Sequence, residues 1–407
     1  MSTEAIAEET LHLETIGTVD RAVLNRIDEA FGDCDSVVSI VLPMEKAGVE
    51  TRQNPIRFKN AIREAKEMLG ANDESAGDLN RQLTKLESLC EDESLEFWQC
   101  QDSGLVVYLG EASEPVCLGL PFSPKGNVSV GSTPMLSPLW RLQNPSRYFV
   151  LALDLSDLKL YEASRWWVRE LMLSQIPTSV DEAMKYDDPE KSLQFHTVSQ
   201  SNATGAGGGD VSFHGHGGAG DENQDRQIDR YFELVAGGLP QELPDRKTPL
   251  IVLGPDHERS RYREKNRYEN LSMEEISLNP SSKKAPELFA SIRERIDEIE
   301  AEKLKEEISE LSDQIALGTA SDDIEEIARA SLEGRIKAVY AKEGAVKYGK
   351  VDMESLQVES AGSKDESDTD LVAFSIRKAE STGARIISLP EDVALPEDSE
   401  IAAQFRY

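Results

Sequence analysis

The sequence predicts an α/β protein of three domains, and three observations carry that prediction. The chain has 407 residues, which is longer than one ordinary hydrophobic core supports. Short apolar runs typical of buried strands alternate with amphipathic segments of helical period. A proline-rich stretch at residues 134–145 separates the first third from the second. We therefore expect domains at residues 1–145, 146–285 and 286–407.

The first domain should contain strands and helices in alternation. Residues 1–16 are expected to be loose, and a helix is expected at 19–30. The run SVVSIVLP at 36–43 has the composition of a buried strand. Two helices should follow, one ending at Leu69 and one at 79–89, and two strands should follow them, GLVVYLG and EPVCLGLP.

The middle domain should be a mixed sheet with helices that carries a glycine-rich loop at 205–220. RYFVLALDLSDLKLYEAS is typical of a hairpin that turns at Ser156 and Asp157, and SRWWVRELML of a third strand. Residues 187–191 should form a polar loop and 193–198 a strand leading into the glycine-rich loop. After that loop, Ile228, Tyr231, Phe232 and Val235 form a helical apolar stripe. TPLIVLG is expected to be a buried strand, followed by a basic helix.

The third domain should be a small three-layer α/β/α domain. It begins with a long amphipathic helix from Pro286, whose apolar residues suit packing within a domain better than a coiled coil. DDIEEIARASLEG should form a helix, IKAVYAKEG a strand, and DLVAFSIRKAESTGARIISLP a helix and a strand. The acidic, serine-rich segment 354–370 is expected to be a loop between them.

Charge and cysteine content narrow the function classes. The net charge of −32 argues against promiscuous nucleic-acid binding, which needs clustered Lys and Arg. The middle third is the least acidic, with 17 basic and 23 acidic residues at 146–285. The four cysteines have no CxxC spacing, which indicates reduced structural thiols. The N-terminus lacks the pattern of a signal peptide and no run is apolar enough for a membrane helix, so a cytoplasmic location is expected.

The loop itself, GAGGGDVSFHGHGGAG, is built to bring bare backbone close to another molecule, because glycines leave the main chain uncovered and flexible. Its letters match G-x-G-x-x-G at Gly215, Gly217 and Gly220, but the βαβ context and the following acidic residue of a dinucleotide site are missing. His214 and His216, with His196 and Asp210, form a candidate metal set without a rigid second shell. A Ser-His-Asp hydrolase stays open, although no G-x-S-x-G elbow is present.

The same loop resembles a known family. FHGHGGAG followed by DENQDRQIDRYFELV is similar to the Gly-Gly-Gln loop and succeeding helix of archaeo-eukaryotic peptide release factors and their Pelota relatives. RYFVLALDLSDLKLYEA is similar to the first hairpin of the family's middle domain, and TPLIVLGPDH to the strand after the loop helix. QNPIRFKN, GLVVYL and the terminal AAQFRY look more like the bacterial branch. The first domain is less like the family's stop-codon-reading domain, and its decoding motif is not visible.

One departure matters for chemistry. Ala219 stands where the family has the glutamine that positions a water against the peptidyl-tRNA ester. Alanine has no amide to orient water, and Gln224 lies five residues later, so we expect no peptidyl-tRNA hydrolysis and no catalytic residue. What remains is a glycine tip able to lie against RNA backbone, with His and Arg donors for phosphate.

The resemblance implies a ribosome-associated translation factor that enters the A site for rescue, quality control or hibernation. It implies contact with ribosomal RNA, a translational GTPase such as elongation factor Tu as the partner of the C-terminal domain, and no cofactor or metal. The candidate RNA-binding residues at the loop tip and its helix are His214, His216, Gly217, Gly218, Arg226 and Arg230. Those in basic patches are Arg259, Arg261, Arg263, Lys265, Arg267, Arg52, Asn54, Arg57 and Lys59.

Three alternatives stay open. The Arg259–Arg267 patch is also explained as a solvated helix face with internal ion pairs. The histidines would also suit a metal-dependent hydrolase or nuclease, and the acidic surface would suit a cytosolic scaffold that binds a basic protein. The acidity is the strongest objection to an RNA-binding function, because RNA repels it.

Overall fold

The computed structural model describes residues 13–70, 76–92, 96–111, 113–143, 145–187, 219–353, 355–361, 369–390 and 393–407. It confirms the α/β class: its helices pack against four separate sheets. Chain contacts divide it into two compact units, residues 146–302 and residues 1–145 together with 303–407. The division into three domains stays a prediction. Among the described residues, no helix is both long and apolar enough to cross a membrane.

The N-terminal part of the chain is a five-stranded sheet with helices on its faces. Its strands are β1 (Leu13–Thr15), β2 (Val37–Pro43), β3 (Gly104–Gly110), β4 (Val116–Leu120) and β5 (Asn127–Gly131), in the order β1-β4-β3-β2-β5. Its helices are α1 (Arg21–Phe31), α2 (Gln53–Leu69), α3 (Ala76–Leu89) and the short α4 (Glu96–Gln99) and α5 (Ser137–Trp140). Asp20 caps α1 by accepting from the backbone N–H groups of Ala22 and Val23.

Most of the predicted elements in this part are present within two or three residues of the expected ends. Residues 13–15 are an exception, because they pair with β4 in a parallel ladder and are not loose. The edge strand β5 was not predicted, since NVSVG is short and lies between prolines and glycines.

The middle unit is a mixed sheet of five strands. They are β6 (Tyr148–Ala152), β7 (Lys159–Ala163), β8 (Val168–Leu171), β9 (Leu250–Gly254) and β10 (Leu271–Ser277), in the order β10-β9-β6-β7-β8. Strands β10, β9 and β6 are parallel, and β7 and β8 continue as the predicted hairpin and third strand. Three helices, α6 (Val180–Asp187), α7 (Ala219–Glu242) and α8 (Asp256–Lys265), pack with one face.

The other face of that sheet is covered by the first half of α9 (Ala285–Ala316), the long helix that the sequence predicts. Leu288, Ile292, Ile296 and Ile299 bury against Val150 and its neighbours. The predicted strand at 193–198 lies outside the described residues. Neither α6 nor β10 was predicted, because DEAMKYDD and LSMEEIS are polar and have no clear apolar period.

The C-terminal part is the predicted three-layer arrangement. A sheet of β11 (Ala320–Ser321), β12 (Ile336–Lys342), β16 (Arg385–Leu389) and β17 (Ile401–Phe405) has the order β11-β17-β12-β16. The second half of α9 packs on one face through Leu311. Helices α10 (Ile324–Leu332) and α11 (Leu371–Ser381) contact each other and the sheet.

A second small sheet corrects the expectation of a loop at 354–370. It contains β13 (Tyr348–Asp352), β14 (Gln357–Ser360) and β15 (Thr369–Asp370), with β13 in the centre. Val358 explains the strand: in an otherwise acidic stretch, it buries against Ala328 and Leu371. One apolar side chain at the right register therefore outweighs the charge of its neighbours.

Candidate functional site

The glycine-rich loop lies outside the described residues, which resume at Ala219 as the first residue of α7. The four loop-tip candidates, His214, His216, Gly217 and Gly218, therefore stay predictions. The structure does show how the segment after the loop is anchored, and which charged groups surround that anchor.

Helix α7 is held by the apolar stripe that the sequence predicts. Tyr231, Phe232 and Val235 are fully buried, and Ile228 is partly buried against the same core. The rings of Phe232 and Tyr262 meet edge to face with centroids 6.2 Å apart, which ties α7 to α8. The loop therefore ends on a helix that is fixed to the middle sheet.

The anchor lies at the carboxyl ends of the parallel strands. The Tyr231 hydroxyl donates towards the backbone oxygens of Asp154 (3.3 Å) and Thr178 (3.4 Å), and Asp154 lies two residues after the end of β6. In open α/β sheets this edge is the usual place for a ligand or partner. The polar end of a tyrosine in an apolar stripe was not recognised as an anchor from the sequence.

The two arginines predicted on α7 are both exposed. Arg230 forms an ion pair with Glu233 at 3.5 Å. Arg226 has no ion pair within the part of the chain that the structure describes. It lies between Asp225 and Asp229, which both face Arg261 of α8. Of the two, Arg230 already has an acidic partner, whereas Arg226 is exposed without an ion pair in the described residues.

The basic run on α8 is largely neutralised inside the unit. Arg259 is only 7% exposed and pairs with Asp256 at 2.5 Å and with Glu275 at 3.2 Å. Arg263 also binds Glu275 and donates to the backbone oxygen of Ser272 at 2.7 Å.

The next two cations face α7. Arg261 pairs with Asp225 at 2.6 Å, and Lys265 pairs with Glu233 at 3.4 Å. These contacts match the ion-paired alternative for the patch, and the burial of Arg259 removes it from the groups that a phosphate could reach. Arg267, just beyond the helix, is exposed.

The basic segment at residues 52–59 also contains both side chains that are engaged within the fold and side chains that are exposed. Asn54 is fully buried: its Oδ1 accepts from the backbone N–H of Glu45 at 2.9 Å, and its Nδ2 donates to the oxygens of Glu45 (2.9 Å) and Trp98 (3.2 Å). Asn54 therefore has a structural role and is not placed to contact RNA. Arg57 pairs with Glu45 at 2.9 Å and donates to the oxygen of Pro43 at 3.1 Å.

Arg52 and Lys59, in the same segment, are exposed. Neither has an ion pair within the described residues. Both belong to the other unit of the chain, 1–145 with 303–407.

One unusual group near the α7 anchor was missed by the sequence analysis. Glu258 is 7% exposed, and its Oε2 has no hydrogen-bond partner within the described residues. Burial, helped by the neighbouring charge of Asp154, raises the pKa of Glu258 to about 7. In the sequence it is one of two acids in a basic run, and no local signal marks it as buried.

Metal ligation is not supported by the described part of the chain. Among those residues there is no group of three or more His, Cys, Asp or Glu placed to hold a metal ion. The proposed ligands His196, Asp210, His214 and His216 all lie outside them, so the structure does not test that alternative.

Comparison with known proteins identifies the middle of the chain. Residues 148–297 match the model of bacterial archaeo-eukaryotic release factor family 7. That segment contains the whole five-stranded sheet, the loop and α7. No curated protein matches the sequence significantly. The resemblance to release factors inferred from the loop is thereby confirmed for residues 148–297.

Solved structures of the same kind are similar at low identity. An archaeal translation termination factor, aRF1, is 12% identical, with 100% of this chain and 99% of that chain covered and a TM-score of 0.24. Pelota from Archaeoglobus fulgidus is 15% identical, with 75% and 79% covered and a TM-score of 0.32. A ribosome-bound archaeal Pelota, in a structure with ABCE1, is 10% identical, with 96% and 95% covered and a TM-score of 0.36. All three TM-scores are below 0.5, so the resemblance to release factors rests on the match over residues 148–297.

Proposed function

We propose that this protein, whose middle segment matches bacterial archaeo-eukaryotic release factor family 7, is a ribosome-associated translation factor of the A site. One observation carries the proposal: the family match spans a glycine-rich loop that ends on α7, a helix fixed in the core by Tyr231, Phe232 and Val235. A glycine-rich sequence that leads into a fixed helix suits close approach of the main chain to folded RNA, where larger side chains would collide.

The loop tip and the start of α7 are the proposed RNA contact. Gly217 and Gly218 would lie against RNA backbone, with His214 and His216 donating to phosphate oxygens. Arg226 and Arg230 are exposed on α7 and would neutralise nearby phosphates. Arg52 and Lys59, exposed on the other unit, are proposed as a second contact.

The factor would occupy the A site without cleaving the nascent chain, in rescue, quality control or hibernation. Ala219 replaces the glutamine on which hydrolysis depends in the family, and alanine offers no group to orient water. A translational GTPase, elongation factor Tu in bacteria, is the proposed partner of the C-terminal domain. Release of peptide from ribosome-bound peptidyl-tRNA by the purified protein would contradict the non-hydrolytic part of the proposal.

Sucrose-gradient sedimentation of lysates from growing and starved cells tests the ribosomal role. We expect the protein to migrate with ribosomes, and the double variant Gly217→Val with Gly218→Val to shift largely to the top of the gradient. Gly131→Val is the matched control, because a Cβ at Gly131 would meet no atom within 4 Å. Wild-type protein that stays at the top of the gradient under both conditions would refute the proposal.

A further inference from the structure

The end of the middle sheet opposite the α7 anchor carries a cluster of cations and a tryptophan. This is the end at which the parallel strands β6 and β9 begin. We define the amino-end surface as the set of side chains there on the α7 and α8 face of the sheet. Its members are Arg147, Trp167, Arg169, Arg246, Lys247 and Arg267.

Two of these arginines are held in place by one buried carboxylate. Glu162 is 1% exposed, and its Oε1 accepts from Arg147 Nε at 2.7 Å while its Oε2 accepts from Arg169 Nε at 2.5 Å. The Arg147 and Arg169 side chains are nevertheless 45% and 64% exposed. One carboxylate thus holds two guanidinium groups at the surface, where their remaining N–H groups suit phosphate oxygens. Asp245, close to Arg147, balances the second positive charge.

Trp167 adds a flat apolar surface to this arrangement. The hairpin from β7 to β8 turns at Ser164, whose hydroxyl accepts from the backbone N–H groups of Trp166 (3.1 Å) and Trp167 (3.3 Å). The Arg169 guanidinium lies over the Trp167 ring, 5.6 Å from its centroid. Trp167 is partly exposed, and an unpaired base would stack on the part of the indole ring that Arg169 leaves uncovered.

The remaining cations belong to the segment that leads into β9. Arg246 and Lys247 are exposed and have no ion pair within the described residues. The Asn270 side chain fixes their backbone by donating to the oxygens of Arg246 (2.9 Å) and Lys247 (3.1 Å). Asp245 lies 3.7 Å from Arg147, which joins this segment to the Glu162 pair.

The last member of the amino-end surface, Arg267, lies two residues after the end of α8. Its Nη1 would lie 3.9 Å from a Cβ built at Gly237, near the end of α7.

Acidic groups at this end offset part of the positive charge. Asp245 accepts from the backbone N–H groups of Lys247 and Thr248, each at 2.8 Å, and Glu242 accepts from the backbone N–H of Ser174 at 2.9 Å. Glu269 is exposed beside Arg267. Asp297 and Glu300, which bind Arg165 and Tyr148, belong to α9 on the opposite face of the sheet.

We propose that the amino-end surface is an RNA-binding site for a structured RNA with an unpaired base, which stacks on Trp167 while the flanking phosphates contact Arg246, Lys247 and the fixed arginines. Fixed guanidinium forks, unpaired cations and an aromatic plane on one face are the combination by which proteins bind unstacked RNA. None of its residues belongs to the glycine-rich loop, so the site adds a second RNA contact to the middle segment and does not depend on the loop's role.

Fluorescence anisotropy with a labelled RNA hairpin that has an unpaired loop tests the site, and a fully paired RNA duplex serves as the second probe. Arg246→Glu with Lys247→Glu should weaken binding of both RNAs by about tenfold or more and flatten the salt dependence. Trp167→Ala should weaken the hairpin by about fivefold or more and leave the duplex unchanged. Circular dichroism checks that each variant is folded, and the double variant, whose substituted side chains are exposed, tests the site even where Trp167→Ala fails to fold.

Lys284→Glu with Arg293→Glu is the matched control, because it reverses two charges on the same unit away from this surface. We expect both affinities to be unchanged in that control. Equal losses in the two charge-reversed variants, competition by polyglutamate as strong as that by the RNA hairpin, or no hairpin binding would each overturn the proposal. Gly217→Val with Gly218→Val should leave hairpin binding intact, so failure of the ribosomal role and failure of this site give different results.

Discussion

Glu258 is a carboxyl group that the fold keeps away from water at the place where α7 is anchored. Its pKa is raised to about 7, first by burial and second by Asp154. Between its ordinary pKa of 4.5 and about 7, the folded state binds more protons than the unfolded state. The free energy of unfolding therefore falls as pH rises through this window.

The substitution Glu258→Gln tests the direction in which the free energy of unfolding changes with pH. The variant cannot ionise, so its stability relative to wild type should rise between about pH 4 and about pH 8, by about 3 kcal/mol. Urea unfolding at several pH values in that range measures the difference. Glu269→Gln, an exposed glutamate in the same unit, is the control and should show no such gain. A relative stability of Glu258→Gln that is constant with pH would contradict the assignment.

At the residue scale, the sequence indicates which cations exist but not which are free. Arg226, Arg267, Arg52 and Lys59 are exposed, while Arg259 is buried in ion pairs with α8 and β10 residues. Asn54 lies in the polar segment QNPIRFKN, where a surface position was expected. It is nevertheless buried and hydrogen-bonded. Both outcomes depend on partners distant in the chain, such as Glu275 and Trp98, which no local pattern reveals.

At the element scale, α7 shows how closely the loop helix is fitted to its unit. Gly237 and Gly238 are adjacent in this helix, but only Gly238 faces a neighbour. A Cβ built at Gly238 would lie 2.1 Å from Ile176 Cγ2, whereas one at Gly237 would meet only Arg267 Nη1 at 3.9 Å. Ile176 is 6% exposed and so has little room to move.

Gly238→Ala and Gly237→Ala are therefore predicted to have opposite effects. The first should lower the free energy of unfolding by about 1–3 kcal/mol through overpacking against Ile176. The second should raise it by about 0.5–1 kcal/mol, because alanine favours the helix. Thermal and urea unfolding of the two purified variants measure both effects. Equal changes in the two variants would show that α7 is not packed as described.

Elements with a strong apolar period were predicted well, and polar elements were not. The apolar stripes of α7 and α9 predicted both helices, and the apolar run SVVSIVLP predicted β2. Strands β5, β10 and β14 were missed, because each owes its place to ladder pairing or to one buried residue such as Val358. Strand pairing of that kind is decided by the tertiary structure and not by local propensity.

At the scale of the whole molecule, the charge is unevenly distributed, and that distribution makes an acidic chain compatible with the proposed RNA contacts. The net charge is −32, but exposed cations without ion pairs in the described residues remain beside the loop helix and at the amino-end surface. The α/β class followed from the alternation of apolar runs, and the resemblance of the middle segment to release factors followed from the sequence of the loop. The sequence alone does not show which charges are neutralised, because the ion pairs between α7 and α8 join residues that are far apart in the sequence.

Co-pelleting of the purified protein with ribosomes that have either an empty or a tRNA-filled A site tests the central claim most directly. The account predicts that the protein pellets with empty-A-site ribosomes, that A-site tRNA lowers the bound fraction by about tenfold or more, and that raising the salt concentration weakens binding. Equal binding to both kinds of ribosome, or none to either, would contradict it.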